Sequence, residues 1–133
     1  MMASKLSSYQ SVRLFLFNLQ RNLSLSNNIV MDGRDVGTVI LPDATVKFFL
    51  TASPESRAKR RYDEYVQKNE SCDFNSILDN IIQRDYNDSN RKISPLKKAA
   101  DAYVIDNSDF TAEQTLNVCL SIIDSVINNE HCN

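Results

Sequence analysis

Two groups of charged residues have types and spacings suited to binding an anion. The first is a loop at residues 32–38, which contains both glycines of the 133-residue sequence, Gly33 and Gly37. Glycine lets the backbone approach a ligand closely, Arg34 can donate two hydrogen bonds to one phosphate, and Asp35 can accept from a base or sugar. The alternative interpretation is a tight turn with a surface ion pair between Arg34 and Asp35.

The second group is Arg84, Asp88 and Arg91, spaced i, i+4 and i+7 so that all three leave one face of a helix. Two guanidinium groups around one carboxylate can hold a phosphorylated sugar, with the arginines on phosphate oxygens and the acid on a hydroxyl. The same spacing also produces an ordinary surface ion pair on a helix, so spacing alone leaves both interpretations open.

A basic run at residues 57–61 contains Arg57, Lys59, Arg60 and Arg61. Such a run can neutralise polyphosphate, bind RNA or form a solvated helix face. RNA binding is the least favoured of the three because no aromatic residues for base stacking are interleaved with the charges. The polar stretch at residues 67–72 that follows favours a lid that closes over an anionic substrate.

The composition narrows the class of protein. With 15 Lys and Arg against 17 Asp and Glu, the formal net charge of −2 argues against a nucleic-acid coat protein. Two glycines so close together cannot form a G-x-x-x-x-G-K-[ST] or G-x-G-x-x-G loop within these residues. No apolar run approaches the roughly 18 residues of a membrane span, so no membrane partner is expected. The near-neutral charge balance is the reason that no nucleic-acid partner is expected.

The cysteine pattern favours a cytoplasmic protein with reduced thiols, because the three cysteines are widely spaced and form no C-x-x-C pair. His131, beside Cys132, is interpreted as part of a solvated tail, and no metal site is predicted. Residues 1–31 contain no acidic residue, a composition similar to that of a transit peptide. An amphipathic helix is the favoured interpretation, because the apolar stripe is long and continues into strand-like sequence.

Hydrophobic periodicity predicts an α/β fold in the order α-β-β-α-α-β-α, with a mostly parallel sheet. The first helix is expected to bury one apolar face. Ser53 and Asp73 are predicted N-caps, and Thr111 with Gln114 forms a capping-box pattern. The predicted strands are residues 29–31, 46–51 and 102–105, and the predicted helices are residues 11–25 and segments starting near residues 54, 74 and 112.

Several stretches in a fixed order resemble bacterial cytidylate kinase. The resemblance runs from about residue 3 to about residue 123 and is to the C-terminal part of the family. It is carried by DGRDVGTVILPDA at 32–44, FLTASPE at 49–55, RAKRR at 57–61, RD at 84–85, DSNR at 88–91 and SPL at 94–96.

The resemblance implies a partial P-loop kinase fold, with residues 1–133 forming a single incomplete nucleoside monophosphate kinase domain whose lid spans about residues 57–91. It also implies that ATP and CMP or dCMP are converted to ADP and CDP or dCDP, with Mg²⁺. Positions matching the family's cytosine-binding residues are Ser4, Arg13 and Asp35. Positions matching its phosphate- and sugar-binding residues are Arg34, Arg84, Asp88 and Arg91. The resemblance implies a catalytic role for the three arginines among them. The basic lid positions directed at ATP phosphates are Arg57, Arg60 and Arg61.

The family's donor-side loop, with its lysine and its Mg²⁺-binding hydroxyl, has no counterpart in these 133 residues. We therefore expect a truncated form that does not catalyse phosphoryl transfer alone. The alternatives are a non-catalytic CMP-binding module and one half of a split kinase. An exposed sheet edge predicts self-association.

Overall fold

The computed structural model describes residues 9–91 and 93–130, so Ser4, His131 and Cys132 lie outside the described residues. It shows an α/β arrangement of helices around a small sheet, as predicted. No described helix has the length and apolar character needed to cross a bilayer. The elements are α1 (Gln10–Ser26), a π-helical turn (Val36–Ile40), β1 (Phe48–Thr51), α2 (Pro54–Gln67), α3 (Phe74–Asn90), β2 (Tyr103–Asp106) and α4 (Ala112–Glu130).

The sheet consists of two parallel strands, β1 and β2, with Phe48 opposite Tyr103 and Thr51 opposite Asp106. Both strands are rich in β-branched and aromatic residues, which favour the extended backbone. Helices α2 and α3 form the crossover between the strands and pack against each other. The strands predicted at residues 46–51 and 102–105 are confirmed, with ends shifted by one or two residues.

The strand predicted at residues 29–31 is wrong. These residues have irregular backbone, and Val30 is fully exposed at 103%. A strand is held by hydrogen bonds to a neighbouring strand, and the described sheet pairs only β1 with β2. The observed order is therefore α, π turn, β, α, α, β, α in place of α-β-β-α-α-β-α.

The predicted helix starts are confirmed by their capping hydrogen bonds. Ser53 Oγ accepts from the Ser56 backbone N–H at 3.1 Å, and Pro54 fills the first position of α2. The Asp73 carboxylate accepts from the backbone N–H of the third residue of α3 at 2.7 Å. Thr111 and Gln114 exchange bonds of 2.8 and 3.1 Å before α4, which is the predicted capping box.

The buried apolar core of the described residues is small and is drawn from the helices, the sheet and the π turn. Its members are Ala52, Ala58, Ile77 and Ile105, and Ile40 of the π turn is also buried. The buried face predicted for α1 is wrong, because α1 contains no buried residue and Phe15 is 68% exposed. The apolar stripe of α1 exists in the sequence, but packing requires a facing layer, and the π turn that contacts α1 covers only part of it.

Candidate functional site

The glycine loop leads directly into the π turn, which sequence reasoning did not predict. The Asp35 carbonyl accepts from the N–H groups of Val39 at 2.9 Å and Ile40 at 3.3 Å. Neither glycine has a positive φ. A Cβ on Gly33 would lie 2.7 Å from Val36 Cγ2, which is too close for any side chain. Close packing within the loop, and not an unusual backbone angle, is therefore what requires glycine at position 33.

An ion pair between Arg13 and Asp35 joins α1 to this loop. Arg13 Nη2 donates to Asp35 Oδ2, and the two side chains are only 24% and 10% exposed. A carboxylate this deeply buried requires a counter-charge, which Arg13 supplies. The pair lies at the wall of a groove of about 450 Å³ between α1 and residues 32–40, with Leu14, Phe17 and Val36 on its apolar side.

The next residue in the loop, Arg34, binds α3. Arg34 Nε donates to Asp88 Oδ2 at 2.9 Å, and Arg84 Nε lies 3.9 Å from the same oxygen. Asp88 is 17% exposed, whereas Arg34 and Arg84 are 44% and 65% exposed. The expected i,i+4 pair of Arg84 and Asp88 is thus present, but Arg34, from a distant loop, also binds the Asp88 carboxylate. The surface pair between Arg34 and Asp35 is not observed, because each residue pairs elsewhere.

Arg91, the third residue of the predicted triad, follows the last residue of α3. Its Nε donates to the Ser94 carbonyl, and the Leu96 backbone N–H donates to the Asp88 carbonyl at 2.8 Å. These bonds hold Ser94 and Leu96 against the end of α3. The structure therefore brings Arg84 and Asp88 together with Arg34, while Arg91 contacts the loop that follows.

A second ion pair lies next to this cluster and joins α2 to α3. Arg57 donates to Asp85 through Nη1 at 3.0 Å and Nη2 at 2.5 Å, and its Nε donates to the Ala52 carbonyl at 3.1 Å. The hydrogen bonds from Arg57 hold the pKa of Asp85 below its ordinary value, and the charges of Arg34 and Arg84 act in the same direction. The same bonds raise the pKa of Arg57.

The other two lid candidates also contact protein groups. Arg60 donates to the carbonyl oxygens of Asn107, Ser108 and Phe110, directly after β2. The Arg61 guanidinium donates to Tyr65 Oη at 3.2 Å and lies 5.6 Å from the centre of that ring. A role for these residues toward ATP phosphates stays a prediction.

Lys47 is a buried charged residue that sequence reasoning missed. It is 8% exposed, and its Nζ donates to Asp101 Oδ2 and to the Pro42 carbonyl. The bond from Lys47 holds the pKa of Asp101 below its ordinary value. The strand predicted at residues 46–51 included Lys47, so the sequence did not indicate that Lys47 and Asp101 would lie side by side before the paired strands.

The described residues contain no cluster of metal-ligating side chains, and two of the lid arginines contact protein groups. Across 9–91 and 93–130, no three His, Cys, Asp or Glu side chains are placed to hold a metal ion. Arg57 and Arg60, the residues expected at the ATP phosphates, are occupied by protein acceptors.

The structure thus combines a parallel two-stranded sheet with clustered arginine–carboxylate pairs. The chain belongs to the cytidylate kinase family, whose family model matches residues 1–125. It is 48% identical over 128 residues to a cytidylate kinase of Clostridium tetani (94% of this chain, 57% of the relative). It is 50% identical over 120 residues to one from Clostridium botulinum strain Loch Maree (90% and 55%), and 53% identical over 105 residues to one from Clostridium perfringens (79% and 48%). The chain spans about half the length of these curated relatives.

Proposed function

We propose that this chain supplies the site for the acceptor nucleotide in a cytidylate kinase. The whole protein would transfer the γ-phosphoryl group of ATP to CMP or dCMP, giving ADP and CDP or dCDP. The observation that carries the proposal is the placement of two arginine–carboxylate pairs on consecutive residues, with Asp35 bound to Arg13 and Arg34 bound to Asp88. This arrangement sets groups suited to a base beside groups suited to a phosphate.

The Arg13–Asp35 pair has the chemistry needed to recognise cytosine. The cytosine edge presents an amino donor at N4 and acceptors at N3 and O2. The Asp35 carboxylate can accept from the amino group while the guanidinium of Arg13 donates to a ring acceptor. Uracil has a carbonyl oxygen where cytosine has its amino group, so a carboxylate disfavours uracil there. The apolar wall of the groove suits the flat face of the ring.

The cluster of Arg34, Arg84 and Asp88 is suited to the acceptor phosphate and the sugar. Both arginines are substantially exposed, so their remaining donors can reach phosphate oxygens. Asp88 can accept from a sugar hydroxyl. Phosphoryl transfer depends mainly on positioning and on stabilising charge, and these residues would hold the attacking phosphate and neutralise part of its charge. When bound, ATP with Mg²⁺ supplies the phosphoryl group.

Isothermal calorimetry with CMP tests the proposal. Arg34→Ala should weaken CMP binding by about tenfold or more, because it removes hydrogen bonds to a charged phosphate. Lys68→Ala removes one positive charge from the exposed end of α2 and should leave affinity unchanged. Equal affinity of the wild-type chain and Arg34→Ala would remove Arg34 from the site.

The base contacts are tested separately by comparing CMP with UMP. Asp35→Asn replaces an oxygen with an amide donor, so it should reduce the preference for CMP over UMP by about tenfold. An unchanged preference would contradict the assignment of the groove to the base.

A second candidate function is one half of a split kinase. The observation that favours it is an exposed apolar side chain on each face of the sheet, Leu50 at 55% and Val104 at 54%. Parallel sheets are normally covered on both faces. A coupled ADP-release assay would compare the purified chain alone with the chain plus the segment of the Clostridium tetani relative that it does not match. Turnover only in the mixture supports the split form, whereas turnover by the chain alone contradicts it.

A further inference from the structure

Two carboxylates on consecutive turns of α3 are each held by an arginine from a different part of the chain. Asp88 binds Arg34 of the glycine loop, and Asp85 binds Arg57 near the start of α2. The two carboxylates are three residues apart and therefore lie on the same face of the helix. The glycine loop and α2 thus both bind α3 on the face that carries Asp88 and Arg84.

The Arg57–Asp85 pair is built more rigidly than an ordinary surface ion pair. Both carboxylate oxygens of Asp85 are bound, and the Arg57 Nε is bound to the carbonyl of Ala52, which follows β1. Two parallel bonds between a guanidinium and a carboxylate fix direction as well as distance. Through Arg57, the end of β1 therefore restricts how far α3 can rotate about its own axis.

Asp85 is also the neighbour of Arg84 in sequence, and the charges of Arg34 and Arg84 act on its carboxylate. A small rotation of α3 would move Asp88, and Arg84 with it, away from Arg34.

We infer that Asp85 and Arg57 are positioning residues, which hold α3 in the orientation that lets Asp88 bind Arg34 and thereby arrange the acceptor-phosphate cluster. Neither residue needs to touch the nucleotide. The consequence for CMP binding rests on the proposed function, whereas the consequence for the Arg34–Asp88 contact does not.

The direct test is the NMR signal of the Arg34 Nε–H group in the ligand-free 133-residue chain, assigned by its loss in Arg34→Lys. Asp85→Asn should shift this signal toward that of solvated arginines and speed its exchange with water by about fivefold or more, because the bond to Asp88 is lost. Arg57→Lys keeps the charge but cannot make the paired bonds, so it should give a smaller shift in the same direction. An unchanged Arg34 signal in both variants would overturn the inference.

Asp79→Asn is the matched control, since it removes a carboxylate from an exposed position of the same helix and should leave the Arg34 signal unchanged. Dispersed β1 amide signals identify the variants that retain the fold. An equal shift in Asp79→Asn would show a general effect of charge on α3 and would also overturn the inference.

CMP titrations on the same samples separate the two hypotheses. Asp85→Asn should weaken CMP binding by about threefold to tenfold in the wild-type background and have no further effect in Arg34→Ala, because it acts through Arg34. Additive losses would contradict a positioning role. Absence of CMP binding by the wild-type chain would contradict the proposed function, and the Arg34 signal would still decide whether Asp85 positions the cluster.

Discussion

At the scale of single residues, the two glycines of the loop have different roles. Gly33 faces Val36 Cγ2 at a distance that leaves no room for a Cβ, whereas a Cβ on Gly37 would lie 3.5 Å from Lys47 Cδ, an ordinary contact. The sequence suggested that both glycines admit a ligand. The structure shows that the absence of a Cβ at Gly33 also leaves room for the β-branched side chain of Val36. That side chain is rigid at χ1 and cannot move aside easily.

Gly33→Ala should therefore destabilise the fold by about 1–3 kcal/mol, the usual cost of forcing a group into a closely packed position. Gly37→Ala is the matched control and should change stability little. Urea unfolding followed by circular dichroism measures both. Adding Val36→Ala to Gly33→Ala should recover part of the loss, and a double variant no more stable than Gly33→Ala would contradict the packing explanation.

The Arg57–Asp85 pair predicts a specific dependence of stability on pH. Because the folded-state pKa of Asp85 is lowered, the pair stabilises the fold above the ordinary pKa of a carboxyl group. That stabilisation is lost as the pH falls through the lowered folded-state pKa. The difference in free energy of unfolding between the wild-type chain and Asp85→Asn should be largest near pH 7 and shrink below about pH 4.

Urea unfolding at a series of pH values measures this difference. The same comparison in an Arg57→Ala background serves as the control, since Asp85 has lost its main partner there. A pH dependence that persists in this background would assign the effect to groups other than Arg57.

At the scale of elements, the helix starts were predictable and one strand was not. Ser53, Asp73 and Thr111 act on backbone groups three residues away, so the information that places these helix starts is local. The apolar run at residues 29–31 has a strand-like composition, but a strand also needs a partner, and composition does not provide one. For the same reason, the pairing of buried Lys47 with exposed Asp101 becomes evident only after the register of β1 and β2 is known.

The candidate site likewise combines features that the sequence showed with contacts that only the fold creates. The spacing of Arg84 and Asp88 within one helix was visible in the sequence. Their connection to Arg34, which lies 54 residues before Asp88, depends on how α3 packs against the loop. Asp35 was indicated by the composition of its loop and Arg13 only by family resemblance, and the ion pair between them is a feature of the fold.

Ser53→Ala should destabilise the chain by about 1 kcal/mol, because the first turn of α2 loses the oxygen that accepts from the Ser56 N–H. Ser53→Asp, which keeps a capping oxygen, should retain most of the stability. Equilibrium urea unfolding distinguishes the two. Equal losses in both variants would indicate that the hydroxyl of Ser53 contributes through another contact.

At the scale of the whole molecule, many large apolar side chains of the described residues are exposed to solvent. Side chains more than 40% exposed occur on α1, on both strands and on α4, and include Phe15, Leu50, Val104 and Leu116. Exposed apolar patches commonly mark surfaces that bind another polypeptide. Self-association through the sheet stays a prediction, and the same surface serves the split-kinase alternative.

Light scattering coupled to size-exclusion chromatography should show an apparent mass of the isolated chain that rises with concentration. Leu50→Lys places a charge on the exposed face of β1 and should reduce this rise, since charged residues disfavour strand-to-strand association. Lys59→Leu changes charge on exposed α2 and should not reduce it. A constant monomeric mass for the wild-type chain would contradict the prediction.

The pairing of β1 with β2 also has a consequence for folding kinetics. The paired residues Phe48 and Tyr103 are more than fifty positions apart in sequence, whereas α2 and α3 are consecutive helices joined by a short turn. Bringing distant segments together costs chain entropy before their contacts form, so local helix contacts form first. Pulse-labelled hydrogen exchange during refolding should therefore protect amides of α2 and α3 before those of the strands. The arginine–carboxylate cluster, which depends on the α3 orientation, would be among the last features to reach its native arrangement.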